Sequence, residues 1–468
     1  KMDTKTKGIL DKIKHNTATI GENIFIDFSE RKVGEARLQY WNLAMLTMAY
    51  AMSSNVLLTG EPGFGKTTSA KVIGAVYGGY PFDVFESAQF QGHPEQTVES
   101  LVGRLDFSKL AKEEKIIWQM GLYLPLIVLD EINRLPGGKQ DVLLNGVDTG
   151  RFSYLNDTFF EGKVPFFATA NHPDDGNHII IPPLADRFSI CLELGDQGPY
   201  AEQKIRVAKN KIRTSLVDHE LTDKVLGMVN DTSTSVEDKL KKLAGIKRAY
   251  IDSVCKKAKT AYVSDDEMEH LKGAIEAVPL SSEAVVFIQC IQTELNYGGK
   301  KGRKRSCDEA AEETHAKSIA SFSTKNAFSP RGFDALQSFS QAIALYTGSE
   351  KVEKAHIIAA APCVMQHRIV FTDDFRSQHE TDNYVEGEDI YFNAPTTEGH
   401  LVEKLISGID ENYRVSAHDE VALLTTLLTE PEKLTEKQRK QAEDKFGKIS
   451  RQDNPLLKCI LHELKRRS

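Results

Sequence analysis

Between Asn55 and Ile73 the chain passes from an apolar run, through three closely spaced glycines, to a lysine, two threonines and a second apolar segment. Few architectures accommodate that order. Asn55–Leu58 with Thr59 reads as a short buried strand. Thr67–Tyr77 reads as a helix, with Ala70, Val72, Ile73 and Val76 available for packing. Between them, Gly60, Gly63 and Gly65 can take positive φ without a steric penalty. Such a loop can wrap on itself and point successive N–H groups at an anion, and the following helix adds its positive end and unpaired amides. Lys66 supplies a mobile charge and Thr67 a hydroxyl. The run Gly60-Glu61-Pro62-Gly63-Phe64-Gly65-Lys66-Thr67 fits G-x-x-x-x-G-K-[ST] in full, a phosphate-binding loop between strand and helix. With Thr68, these are the expected nucleotide-binding residues, and the fold they demand is α/β with a parallel sheet.

A second motif follows 64 residues after Lys66, where Leu126-Ile-Val-Leu ends in Asp130 and Glu131. A continuous apolar run suits an inner strand covered on both faces, and ligands gather at the carboxyl ends of such strands. Asp130 is therefore expected beside Thr67, binding Mg²⁺ through water, with Glu131 polarising an attacking water. A bare apolar-Asp-Glu pattern is common; the complete loop ahead of it gives it weight. A third strand, Pro165–Asn171, ends in an amide placed to hold that water or a γ-phosphate. Arg187 precedes another apolar strand, Ser189–Leu194, either as a functional cation or in an ion pair with Asp186 or another surface acid. Ser329-Pro330-Arg331 is a helix start, with Ser at N-cap and Pro at the first helical position. Phe333, Leu336, Phe339, Ile343 and Tyr346 then recur at helical spacing. Arg331 lies on the first turn, facing a ligand or solvent.

The bulk properties narrow the class. At 468 residues the chain is long enough for several domains, and with 40% hydrophobic residues it can bury a sizeable core. A net charge of −8 argues against a surface coated in nucleic acid, though not against a local basic channel. Six scattered cysteines without C-x-x-C read as reduced thiols, not as a metal or disulfide framework, and point to a cytoplasmic protein. No apolar run approaches a membrane span. Lys1–His15 is charged and lacks the apolar stretch of a signal peptide.

Phosphate loop, Asp-Glu strand, Asn-ended strand, arginine before a strand and a later helical region with a second arginine form an ordered set that resembles the AAA+ ATPases. In detail the set resembles the MoxR family, within the group that carries an insert in the second helix. The residues carrying the resemblance begin with Val33-Gly34-Glu35, Gly60–Thr67, Leu101-Val102-Gly103 and Asp130-Glu131-Ile132-Asn133-Arg134. They continue with Gln140–Leu144, Gly150-Arg151-Phe152, Phe167-Ala-Thr-Ala-Asn171 and Asp186-Arg187-Phe188. Ser329-Pro330-Arg331 and Gln366-His367-Arg368-Ile369 complete it, so the resemblance spans about 33–371 with interruptions.

The resemblance implies a Mg²⁺-dependent ATPase in a homo-oligomeric ring, a hexamer. Glu131, Asn171, Arg187 and Arg331 would be its catalytic residues, Thr67 and Asp130 its metal side. Arg187 would act as a finger from the neighbouring protomer, and Arg331 would sense the γ-phosphate, in cis or in trans. The implied work is chaperone-like remodelling or activation of a protein complex, with a von Willebrand factor A domain protein as partner. A nucleic-acid motor is the rival reading, kept open by basic Lys300–Arg305 and not favoured; a slow nucleotide-gated scaffold is a third.

The expected organisation is an N-terminal segment (1–32), an α/β nucleotide domain (33–198), a helical insertion (199–263), an all-α lid (264–371, with a flexible loop at about 297–322) and a C-terminal extension (372–468). Phe85–Pro125 is longer than a helix-to-strand connection needs, and the resemblance implies that it holds the insert. Phe152–Val164 reads as a hairpin and Ser264-Asp-Asp-Glu267 as a capping box. The chain departs from the family at His172, where Pro usually follows the Asn directly, and in the segments 211–263 and 372–468.

Overall fold

The computed structural model describes residues 2–95, 97, 101–105, 116–155, 157–160, 162–171, 178–195, 198–208, 210–296, 319–379, 397–413 and 418–449. The chain divides into two compact units, Lys1–Ala274 and Ile275–Ser468.

The first unit opens with α1 (Thr4–Asn23), capped by Asp3, whose carboxylate accepts the Thr6 N–H. The order of this segment was open in the sequence. Its stripe of Ile9, Leu10, Ile13 and Ile20 is buried, and the Asn16 side chain bonds the backbone of Ala261 in both directions, at 2.9 and 2.6 Å. A tight antiparallel pair, β1 (Glu30–Val33) and β2 (Ala36–Gln39), turns at Gly34 with φ +60°. The buried α2 (Trp41–Ala51) then leads to β3 (Val56–Thr59), the phosphate loop and α3 (Lys66–Ile73). The helix expected over 67–77 is α-helical to Ile73 and continues as a π-helical turn, Gly74–Gly78. Here the Phe85 ring lies where a Cβ on Gly74 would stand, 2.7 Å away.

The described residues in and just before the long 85–125 stretch include α4 (Phe82–Ala88), a two-residue strand β4 (Phe90–Gln91), and an antiparallel ribbon of β5 (Gly103–Leu105) with β6 (Ile116–Trp118); part of the expected insert lies outside the described residues. Then come β7 (Ile127–Asp130), α5 (Gly137–Thr149) and the hairpin β8 (Phe152–Tyr154) with β9 (Asp157–Phe159), as expected. Phe159 sits edge-on to Trp118 and Tyr123, joining hairpin to ribbon. Next are β10 (Phe166–Thr169), α6 (Pro182–Ala185) and β11 (Ile190–Glu193).

Five strands form one parallel sheet in the order β11-β3-β10-β7-β4. β3, β7 and β11 are buried throughout except at the last residue, as strands covered by helices on both faces should be. The unit closes with α7 (Pro199–Ala208), α8 (Lys211–Leu216), α9 (His219–Asn230), α10 (Val236–Ala258) and the start of α11 (Asp265–Glu276). The capping box at its head is present: Ser264 Oγ accepts the Glu267 N–H and Glu267 accepts the Ser264 N–H.

The second unit is helical. It contains α12 (Ser282–Asn296), α13 (Ile319–Ser323), α14 (Pro330–Thr347), α15 (Lys354–Met365), α16 (Asp373–His379), α17 (Glu398–Asn412), α18 (His418–Thr429) and α19 (Glu436–Ile449). Ser329 caps α14 by accepting the Gly332 N–H at 3.0 Å, and Leu336, Phe339, Ile343 and Tyr346 are buried. Asn296 and Phe328 exchange two 2.8 Å hydrogen bonds. The chain between them is largely outside the described residues, including the basic run Lys300–Arg305. The extension beyond residue 372 belongs to this unit: Tyr413 donates to Glu294 at 2.5 Å, and Lys354 reaches Asp410 at 3.0 Å. Parallel sheet with flanking helices, then a helical half, is the architecture expected from the sequence. Among the described residues no helix is long and apolar enough to cross a membrane, and Cys191, Cys255, Cys290 and Cys363 are unbridged.

Candidate active site

β3 delivers the chain to the phosphate loop at its carboxyl end. Gly60 sits at φ +131°, and a Cβ there would stand 2.0 Å from the Leu194 carbonyl oxygen. The loop is thus pressed against the end of β11, and only a bare backbone fits. Gly65, at φ +80°, lies against the ring of Phe25 and precedes the first turn of α3. Glu61, Pro62 and Gly63 are exposed.

Lys66 is buried, and its ammonium folds over the loop to donate to the carbonyls of Gly60 (2.8 Å) and Glu61 (2.7 Å). Burial lowers its pKa; the charges of Asp130, Glu131 and Glu61 act in the opposite sense. The Thr67 hydroxyl donates to Asp130 Oδ1 at 2.6 Å. The Thr169 hydroxyl donates to the same oxygen at 2.6 Å and accepts the Glu131 N–H at 2.9 Å. One Glu131 carboxylate oxygen accepts from Asn171 Nδ2 at 3.0 Å; the other is paired with Arg134 Nε at 3.0 Å. Lys66, Thr67, Asp130, Glu131 and Asn171 thus meet at the carboxyl ends of three adjacent strands, β3, β10 and β7.

Beside the loop lies a cavity of about 400 Å³, within the size range of small-ligand sites. Its floor is Gly63, Phe64, Gly65 and Thr68. One apolar wall is Ile24-Phe25-Ile26, between α1 and β1, and the facing wall is Ala201, Ile205 and Ile212 from α7 and α8.

Two predicted residues remain. Arg187 lies at the opposite end of the strands: the Asn55 side chain, at the foot of β3, donates to its carbonyl, and β11 then climbs four residues alongside β3 to reach the loop. Its guanidinium donates to the Pro183 carbonyl at 2.7 Å and lies 3.6 Å from Asp148. Arg331 is exposed on the first turn of α14, in the second unit.

Sequence reasoning did not assign Thr169, Arg134 or the walls of the cavity. Faint signals existed for each. Thr169 is two residues before Asn171, hence on the same face of the strand. Arg134 is one turn after Glu131. Ile24–Ile26 is an apolar triplet directly after an amphipathic segment.

Residues 55–188 match the family model of the AAA domain, dynein-related subfamily, and residues 316–390 match that of an AAA lid domain. Among solved structures, a protein from Cytophaga hutchinsonii, provisionally classed as an ATPase, is similar to this chain with a TM-score of 0.55. The match covers 86% of this chain and 96% of that one at 16% identity, a likeness of fold alone. No curated protein matches the chain in sequence. An AAA-domain model over the phosphate loop and its sheet, followed in order by an AAA-lid model, gives this chain the domain order of the AAA+ ATPases, to which it is similar over those residues.

Proposed function

We propose that the protein binds ATP at this site and hydrolyses it in a ring of identical subunits, using the cycle to remodel a partner protein complex. The observation that carries this is the convergence at one end of the sheet of Lys66, folded over the phosphate loop, with the bonded pairs Thr67–Asp130 and Asn171–Glu131, next to a cavity lined by the same loop. The cavity walls take the base. The ammonium of Lys66 exchanges two loop carbonyls for phosphate oxygens. Thr67 and Asp130 present hard oxygen donors to one point, a donor set that fits Mg²⁺. The cation, when bound, neutralises charge on the β- and γ-phosphate oxygens. Glu131 orients the attacking water and takes its proton, and Asn171 holds that carboxylate in place.

Arg134 at this site is engaged by Glu131, so the charge that develops on the γ-phosphoryl group calls for a further cation. Such an arginine contributes on the order of 10³–10⁵ in rate. Arg187, at the far end of its own strands, suits action on a neighbour's nucleotide, and this supports the ring. The hexameric state, the finer kinship with MoxR proteins, a von Willebrand factor A domain partner, a cytoplasmic location and a γ-phosphate sensor role for Arg331 belong to the same proposal and rest on the resemblance of their motifs. The test is Glu131→Gln, which should bind ATP with affinity near wild type while steady-state phosphate release falls at least about a hundredfold. Wild-type turnover in that variant would overturn the assignment.

A further inference from the structure

We propose that Thr169 is a positioning residue for this hydrolysis: one buried hydroxyl holds the Asp130 carboxylate and also fixes the backbone turn that aims Glu131. The inference rests on the ATPase reading above.

Thr169 is 1% exposed, at the carboxyl end of β10. A hydroxyl has one proton and two lone pairs. Asp130, as a carboxylate, only accepts, so the Thr169 proton is committed to Oδ1 at 2.6 Å, leaving the oxygen free to receive the Glu131 amide at 2.9 Å. Thr67 donates to that same Oδ1 from the phosphate loop. Two threonines, from different elements, therefore set the rotamer of Asp130.

The second half concerns the backbone. Glu131 adopts φ +54° and ψ +50°, the left-handed region that a residue bearing a side chain seldom enters. That conformation is strained and persists only where the surroundings impose it. They do so from both sides. The backbone pairing of β7 with β10 runs to Leu129–Ala168. Beyond it the Thr169 side chain takes over, receiving the Glu131 N–H. On the other flank, the Gly92 N–H donates to the Asp130 carbonyl at 2.7 Å, and a Cβ on Gly92 would stand 2.0 Å from the Glu131 carbonyl oxygen. The turn is wedged between a hydroxyl and a bare backbone. It sends the Glu131 side chain to where Asn171 Nδ2 meets it at 3.0 Å. Without the hydroxyl, the Glu131 amide loses its acceptor and the left-handed turn loses one wall.

The test uses the full chain with Thr169→Val, which keeps the shape without the hydroxyl, and Thr169→Ser, which keeps the hydroxyl without the methyl. Hydrogen exchange of the nucleotide-free protein should show the Glu131 amide exchanging about tenfold or more faster in the Val variant and near wild type in the Ser variant. In ATPase assays the Val variant should lose roughly ten- to a hundredfold in kcat with KM for ATP within about twofold, and the Ser variant should recover most of it. Thr169→Cys, similar in size and a far weaker hydrogen-bonding group, replaces Val if the latter does not fold. Unchanged exchange at Glu131, wild-type kcat in the Val variant, or a Ser variant as impaired as Val would each overturn the proposal. A wild-type protein that releases no phosphate defeats the hydrolysis reading instead, and the exchange result still decides whether Thr169 sets the turn.

Discussion

Gly60 and Gly63 stand three residues apart in one loop, both at positive φ, yet they answer to different constraints. A Cβ on Gly60 would collide with the Leu194 carbonyl, whereas nothing lies within 4 Å of one on Gly63. Gly60→Ala should therefore cost at least about 3 kcal/mol, combining a backbone clash with a strained φ, and Gly63→Ala only about 1–2 kcal/mol from φ alone. Denaturant unfolding of the two variants measures the difference; equal losses would mean that the contact with β11 is not rigid. At this scale the sequence is informative where a role depends on neighbours in the chain. Lys66 and Thr67 are legible because loop, lysine and threonine are consecutive. Thr169 is not, because its two partners, Asp130 and Glu131, lie 39 and 38 positions away on another strand.

Helix ends were legible for the same local reason. Ser329 with Pro330, and Ser264 with Glu267, carry their caps within four residues. The start of α15 uses a less readable device. The Glu353 N–H donates to His356 Nδ1 at 2.9 Å, and His356 Nε2 lies 3.3 Å from the hydroxyls of Thr347 and Ser349 at the end of α14. Burial lowers the His356 pKa from its ordinary 6.5, against the charge of Glu353. The folded state thus binds a proton less readily than the unfolded chain. The stabilisation is complete above the unfolded value of about 6.5 and is lost as pH falls from there toward the folded one, with a limiting slope of about 1.4 kcal/mol per pH unit. Thermal unfolding of the whole protein should show a fall in Tm from pH 7 to pH 5 that is shallower in His356→Gln. Parallel curves would remove His356 from the account. Short elements such as β4 and the π-helical turn escaped sequence reasoning because two to five residues carry no period of their own; packing against β7 and Phe85 makes them.

At the scale of the molecule, the proposed ring turns on the position of Arg187. Four residues of strand, roughly 13 Å at ~3.3 Å per residue, separate the foot of β11 from the level of the phosphate loop. In the proposed ring, a cation at that foot serves a neighbour's nucleotide and not its own. Arg187→Ala subunits should be inactive alone, as should Lys66→Ala subunits. Mixed in equal amounts they should recover up to about a quarter of wild-type ATPase, the fraction of interfaces that pair an intact loop with an intact arginine. No recovery at any mixing ratio would argue against a shared site.

The sequence by itself determined the parallel α/β class, the phosphate loop, the acidic strand end and the helix caps at Ser264 and Ser329. Each is written in residues close enough to interact before the chain has a tertiary shape. Only the folded structure decided the rest. Strand order brings Thr169 and Asn171 to Asp130 and Glu131, puts Arg187 at the wrong end of its own sheet, and sets Ile24–Ile26 opposite α7 as walls of one cavity. Likewise α1 is held by a contact 245 residues distant. Side-chain periodicity records which face of an element is buried; it does not record against what.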